Sequence, residues 1–238
     1  MAEMAEVQQA VAPLRVGMVV FPNLTMLDLI GPHDVLNTPR CKIDLLWHRI
    51  EPVPVQGSFA ILPTATFADY ALPDILFVPG GPGQLPMMDD EALIGFVARA
   101  GRTARYITSV CTGSLILGAA GLLKGKRATT HWASLDQLKL LGAIPVSERV
   151  VEDGNVITGA GVSSGIDFGL VLTARIWGEA AAKAMQLAIE YDPDPPFTGG
   201  SVTSAEPEIV AAMRERMAPL LEKRVATATR IGREKLGL

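Results

Sequence analysis

Short runs of apolar residues mark the first half of the chain. Each run is four to eight residues long, and several end at proline, glycine or asparagine, a pattern typical of buried strands in a parallel sheet. The strands predicted from these runs are residues 14–21, 43–50, 61–67, 75–78 and 106–110.

Segments with helical periodicity lie between and after these runs. The predicted helices are residues 28–36, 91–100, 115–123, and a long one that is capped by Ser163 or Ser164 and reaches about residue 190. Two further short strands, 150–152 and 156–158, flank an Asp-Gly-Asn sequence, which is a strong hairpin signal. Strands that alternate with helices predict an α/β fold, with a mostly parallel sheet and helices on both faces.

The C-terminal part has a different pattern. Residues 192–200 contain three prolines and two glycines and are predicted to be a linker. Beyond it, apolar residues recur at helical spacing at Ile209, Met213, Met217, Leu220 and Leu221. Thr203 and Glu206 match a capping box at the start of this helix. We therefore expect one α/β domain over 14–191, followed over 192–238 by a linker and a helix that packs on the core or on a second subunit.

Composition excludes several classes of protein. Apolar residues make up 49% of the 238 residues and charged residues 19%, which excludes a disordered or fibrous chain. The formal net charge is −4 and Lys and Arg form no cluster, so we expect no nucleic-acid partner. No apolar run approaches the ~18 residues of a membrane span, so we expect no membrane partner.

The N-terminal residues and the cysteines bear on the compartment. Acidic residues stand where a secretory signal carries basic ones, and we expect residues 1–13 to be a frayed leader. Cys41 and Cys111 are too few for a disulfide framework. These features predict a cytoplasmic protein.

The turn after strand 106–110 is the most informative segment for chemistry. Cys111 follows the strand directly, and the Thr-Gly-Ser sequence after it opens a helix, which is the pattern of a nucleophile elbow with sulfur in place of oxygen. Backbone N–H groups at the helix start are expected to lower the pKa of the thiol. A buried structural cysteine is the alternative, and these residues alone leave both open.

Two other strand ends carry unusual residues. The 79–83 loop (PGGPG) lacks the spacing of a dinucleotide site; Gly80 and Gly81 either aim a backbone N–H at a neighbouring site, as an oxyanion hole does, or form a plain tight turn. Asp28 interrupts an apolar run. It is either an exposed acid at a helix start or, if partly buried beside a thiol, a proton donor.

The histidines give a weaker signal. His33, His48 and His131 share no metal-ligand spacing, so no metal site is expected. His131 is either a base for Cys111 or an imidazole that is satisfied by the backbone and packed near Trp132. Cys41 has no local feature that suggests activation and is expected to be structural.

Four motifs in order resemble the ThiJ/PfpI superfamily: residues 28–36 (DLIGPHDVL), 78–83 (VPGGPG), 108–114 (TSVCTGS) and 127–132 (RATTHW). The resemblance extends over nearly the whole chain from about residue 14. It implies a flavodoxin-like sandwich similar to the class I glutamine amidotransferases. Within the superfamily, the motifs are similar to those of the branch that hydrates isonitriles.

This resemblance implies a set of roles. Cys111 is the expected nucleophile, Asp28 the general acid and base, and Thr112 a polar contact beside the thiol. Gly80, Gly81 and His131 are expected to bind substrate. The resemblance also implies a homodimer and no metal or organic cofactor.

The implied activity is the hydration of isonitriles to N-substituted formamides through a covalent thioimidate. Many superfamily members carry Glu in place of Asp28 and His in place of Thr112, and these differences argue against peptidase activity. Related regulators append a helix-turn-helix module, for which the C-terminal segment is too short. The remaining alternatives are glyoxalase- or deglycase-like carbonyl chemistry with Cys111 and His131, and a cysteine redox sensor without catalysis.

Overall fold

The computed structural model describes residues 12–238. The leader expected over residues 1–13 therefore lies outside the described residues, apart from its last two positions. The strands are β1 Leu14–Val19, β2 Cys41–Trp47, β3 Val53–Pro54, β4 Ala60–Ile61, β5 Ala65–Thr66, β6 Ile75–Val78, β7 Tyr106–Val110, β8 Arg127–Ala128, β9 Ile144–Pro145, β10 Val150–Asp153 and β11 Val156–Gly159.

Eight α-helices are present in the described part of the chain. They are α1 Met26–Leu36, α2 Gln84–Met87, α3 Glu91–Gly101, α4 Gly113–Ala119, α5 Gln137–Leu140, α6 Ser164–Trp177, α7 Glu179–Ala188 and α8 Pro207–Lys235. A 3-10 turn, Trp132–Ser134, precedes α5.

The central sheet has the strand order β10-β11-β7-β6-β1-β2-β5. All neighbouring strands in it are parallel except β10 and β11, which form the expected antiparallel hairpin. Every residue of β6 and β11 is buried. Because side chains alternate between the faces of a sheet, burial of consecutive residues shows that both faces are covered. The predicted α/β fold is thus confirmed.

Two predicted elements are divided in the structure. The strand expected over 61–67 is replaced by β4 and β5, which belong to different sheets, with Pro63 between them and unable to donate to a ladder. The long helix expected to reach about residue 190 is interrupted at Gly178, whose φ of 89° lies in the left-handed region. Glycine adopts that conformation readily, so it ends one helix and begins the next.

The start of helix α8 differs from the prediction. It begins after Glu206 with Pro207 in the first turn, and the Thr203 hydroxyl bonds to Ser201 instead of capping the helix. The capping-box prediction is therefore wrong.

The exposure of α8 changes near its middle. Its first half leaves Ile209 and Met213 exposed, whereas Ala228, Ile231 and other residues of the second half are buried where the helix packs on α2, α4 and α5. Pro219 lies between the two halves and removes a helical hydrogen bond. No helix in the described residues is long and apolar enough to cross a membrane.

Candidate active site

Three loops meet at one edge of the central sheet because the strands before them are neighbours. Strand β6 pairs with β1 on one side and with β7 on the other. The carboxyl ends of these parallel strands lead to Asp28, to the 79–83 loop and to Cys111. The fold therefore brings together the candidate residues that were predicted at three separate strand ends. They lie at the edge where ligands usually bind in such a sheet.

Cys111 occupies a strained turn between β7 and α4. Its φ is 55°, an uncommon value for a residue with a side chain. The backbone is held on both sides: the Cys111 N–H donates to the Gly159 carbonyl at 3.1 Å, and its carbonyl accepts from the Thr130 hydroxyl at 2.8 Å. The elbow predicted from the sequence is therefore present.

Asp28 lies in the first turn of α1 and is completely buried. Its Oδ2 accepts the backbone N–H of Gly80 at 3.0 Å, and its Oδ1 has no hydrogen-bond partner among the described residues. Asp28 is therefore not the exposed helix-start acid of the alternative interpretation. One carboxyl oxygen is fixed by the glycine loop, and the other remains available for proton transfer.

Gly80 lies against the backbone nitrogen and hydroxyl of Thr112 and the carboxyl of Asp28. A β-carbon at this position would lie 2.4 Å from the Thr112 backbone nitrogen and 2.9 Å from Oδ2 of Asp28. Only a residue without a side chain fits there. The glycine thus lets the carboxyl and the start of α4 approach each other.

Gly81 and Thr112 are joined by reciprocal hydrogen bonds. The Gly81 N–H donates to the Thr112 hydroxyl oxygen at 3.1 Å, and the hydroxyl lies 3.3 Å from the Gly81 carbonyl. The N–H groups of Gly80 and Gly81 are both bonded within the protein in this structure. Thr112 reaches the thiol through its backbone N–H, which favours the thiolate.

Burial is the largest influence on the pKa values of Asp28 and Cys111. It raises the pKa of Asp28 to about 7, although interaction with the Cys111 thiol and the Gly80 N–H lowers that pKa. Burial and the neighbouring Asp28 raise the pKa of Cys111 well above its ordinary value, and the Thr112 N–H opposes this only in part. The expectation of a lowered Cys111 pKa is therefore wrong, because removal from water outweighs the start of a short helix. Above about pH 7 the two acids hold one proton between them.

Comparison with known proteins places this site in a family. A sequence profile of the DJ-1/PfpI family matches residues 14–175. The chain belongs to the DJ-1/PfpI family.

Individual relatives agree with this assignment. The isonitrile hydratase of Pseudomonas putida is 48% identical over 218 residues, which are 91% of this chain and 96% of that protein. A ThiJ/PfpI protein from Pseudomonas syringae superposes with a TM-score of 0.89 at 44% identity, covering 96% of this chain and 97% of that one. DJ-1 of Schizosaccharomyces pombe has a TM-score of 0.67 at 19% identity, over 76% of this chain and all of its own, and shows the shared fold alone. The resemblance inferred from the motifs is confirmed.

His131 forms no hydrogen bond with Cys111 in the described part of this DJ-1/PfpI protein. Its Nδ1 accepts the Ala133 backbone N–H at 3.3 Å, which caps the 3-10 turn, and its ring packs against Trp132 with centroids 5.6 Å apart. Burial and then the nearby Arg224 lower the pKa of His131, so the imidazole is neutral near pH 7. This arrangement matches the alternative in which the backbone satisfies the ring.

The remaining candidate residues are His33, His48 and Cys41. His48 bonds to Asp90 at 2.7 Å, and His33 lies 3.5 Å from Asp34. Burial raises the pKa of Cys41 to about 11, and burial is the one cause of that shift, whereas the Cys111 thiol also interacts with the Asp28 carboxyl. Residues 12–238 contain no group of three His, Cys, Asp or Glu side chains that could hold a metal ion.

One residue of the site was missed by the sequence analysis. Arg224 extends from the docked half of α8 and donates from Nη2 to the Gly81 carbonyl at 3.1 Å, across 143 positions of sequence. Within the described chain, Arg224 and Asp28 are the two charged side chains that are buried. The sequence did contain a sign of it. Arg224 lies at helical spacing after Leu220 and Leu221, so it falls on the apolar face of α8, where a charged residue is unexpected.

Proposed function

We propose that this protein hydrates isonitriles to N-substituted formamides, with Cys111 as nucleophile and Asp28 as general base and acid. The observation that carries the proposal is a buried carboxyl, Asp28, that interacts with the buried Cys111 thiol at a strained strand-to-helix turn. Strong similarity to an isonitrile hydratase supports the same reaction. An isonitrile offers few hydrogen bonds and needs both a nucleophile and a proton at its terminal carbon, which this pair provides.

The first half of the reaction forms the covalent intermediate. Asp28 accepts the thiol proton, and the thiolate sulfur attacks the terminal carbon of R–N≡C. The protonated Asp28 then delivers that proton to the same carbon, which gives the thioimidate R–N=CH–S–Cys111. The unpaired Oδ1 of Asp28 suits this transfer, because Oδ2 is occupied by the Gly80 N–H.

The second half releases the product. Asp28 takes a proton from water as the water oxygen attacks the thioimidate carbon, and it passes that proton to the nitrogen, which gives the tetrahedral intermediate R–NH–CH(OH)–S–Cys111. Asp28 then carries the hydroxyl proton to the sulfur as the C–S bond breaks, which releases R–NH–CHO and restores the Cys111 thiol. Gly80, Gly81 and Thr112 border the reacting atoms, and we infer that with His131 they form the walls of the substrate site.

Carbonyl chemistry of the glyoxalase or deglycase type is the enzymatic alternative. It needs His131 as a base for Cys111, and the imidazole bonds to the Ala133 N–H instead. Replacement of His131 by Asn separates the two reactions: kcat for a reactive dicarbonyl would be lost, whereas kcat for isonitrile hydration should change little and any effect should appear in KM, because His131 lines the site without transferring a proton.

The direct test is turnover of an alkyl isonitrile by the purified protein, followed by formation of the formamide. Wild type and Cys41→Ala should be active, and Cys111→Ala should be inactive. Mass spectrometry of rapidly quenched samples should find the adduct on Cys111. Turnover without an adduct would contradict the covalent route, and lack of turnover would favour a redox sensor.

We infer that the chain is one α/β domain over 14–191 with a C-terminal extension, and that it forms a homodimer to which α8 contributes. Both cysteines are free thiols, which suits the reducing cytoplasm.

A further inference from the structure

Arg224 is a buried cation that no carboxylate of the described chain pairs with. It is 6% exposed, and it forms no ion pair within 4 Å among residues 12–238. Its Nη2 donates to the Gly81 carbonyl at 3.1 Å and its Nη1 to the Ser134 hydroxyl at 3.4 Å. Its Nε has no partner in this part of the chain. A buried charge left in this way is costly unless another charge balances it.

Arg224 interacts electrostatically with Cys111 in the active site. Above about pH 7 Asp28 and Cys111 together carry one negative charge, and both are buried. Thr112 links the two regions: its hydroxyl bonds to Gly81, whose carbonyl accepts from Arg224, and its N–H faces the sulfur.

We propose that Arg224 is a positioning residue of the reaction, whose buried charge favours the form in which the negative charge of the Asp28–Cys111 pair lies on sulfur. This role rests on the proposed hydration chemistry, because the thiolate is the attacking form. It also explains why α8 returns to the edge of the sheet at which the three strand ends meet.

The surrounding charges agree with this role. The ionisable groups that act on Cys111 are Asp28 on α1, which opposes the thiolate, and Arg224 on α8, which favours it. His131, before the 3-10 turn, has its pKa lowered by burial and by Arg224 and adds no second cation near pH 7. Arg224 is therefore the cation that acts on the thiolate.

A purely structural role is the competing explanation. In that case the hydrogen bond from Arg224 to the Gly81 carbonyl joins α8 to the loop, and the charge is incidental. Two substitutions separate these roles. Arg224→Lys keeps the charge and loses the planar fork, whereas Arg224→Gln keeps an N–H donor and loses the charge.

The test measures the rate at which iodoacetamide alkylates Cys111 as a function of pH, with peptide mass spectrometry to distinguish Cys111 from Cys41. Only the thiolate reacts. In Arg224→Gln the pH midpoint should rise by roughly one unit, which lowers the rate about tenfold below the midpoint. Arg224→Lys should restore most of the wild-type profile. Arg216→Met, at an exposed arginine of the same helix, should leave the profile unchanged.

Several outcomes would overturn the proposal: a wild-type profile in Arg224→Gln, or equal shifts in the Lys and Gln variants. Thermal melting shows whether each variant is folded. If Arg224→Gln does not fold, the Arg224→Lys variant decides: a folded Arg224→Lys with a raised pH midpoint for Cys111 alkylation also contradicts the role of charge. Because alkylation requires no isonitrile, this result is independent of whether the protein hydrates one.

Discussion

Burial of Asp28 makes the stability of the protein depend on pH. Its folded pKa of about 7 lies above the unfolded value of 3.8, so between these values the folded state binds more protons and stability falls as the pH rises. Asp28→Asn removes the buried charge. We expect this variant to be more stable than wild type at about pH 8, by up to roughly 4 kcal/mol, with little difference near pH 4. Urea unfolding across this range measures the effect; a constant difference would contradict it.

The Asp28→Asn substitution should also slow catalysis. Asn has no acidic proton to transfer, and we expect isonitrile hydration to slow roughly 10²–10⁴-fold, the range of a general acid or base. In wild type the rate should fall as the pH drops through about 7, because a protonated Asp28 cannot accept the thiol proton. Stopped-flow turnover from about pH 6 to about pH 9 tests both points. Asp34→Asn, at an exposed residue of the same helix, is the control; near wild-type rates in Asp28→Asn would make the acid structural.

At the scale of elements, the docking of α8 determines where Arg224 lies. A β-carbon on Gly232 would lie 2.2 Å from the Leu140 carbonyl oxygen, so Gly232→Ala must move α8 away from α5. We predict a loss of roughly 1–3 kcal/mol in the free energy of unfolding and a higher pH midpoint for Cys111 alkylation. Gly95→Ala is the matched control, since its β-carbon meets nothing closer than 3.5 Å. An unchanged Cys111 profile in a destabilised Gly232→Ala would separate α8 from the chemistry.

Local patterns predicted the elements whose causes are local. The elbow at Cys111 follows from a strand that ends in cysteine and small residues, and the 150–159 hairpin from its Asp-Gly turn. The break at Gly178 is also local but was missed, because continued apolar periodicity on both sides concealed one glycine. Arg224 is different: its contact with Gly81 depends on how α8 docks, which no neighbouring residue specifies. The predicted direction of the Cys111 pKa shift was wrong for a similar reason, because burial depends on the whole fold.

At the scale of the whole molecule, the exposed half of α8 bears on assembly. Ile209 and Met213 are 53% and 39% exposed, which is unfavourable for apolar side chains that lie on one helix face. We predict a homodimer of twice the 25.3 kDa chain mass, which Ile209→Glu together with Met213→Glu should dissociate. Light scattering at micromolar concentration measures the mass. Leu62→Glu, at an exposed position outside α8, is the control, and a monomeric wild type would refute the prediction.

The burial of Asp28, Cys111 and Arg224 also determines how the site responds to ionic strength. Dissolved ions screen charges that face water over about 8–10 Å, but they screen charges enclosed by protein far less. Added sodium chloride should therefore weaken a surface ion pair such as Arg230 with Asp89 and leave the pH profile of Cys111 nearly unchanged. The reactivity of this thiol is then set by the folded chain itself and is insulated from the electrolyte around it.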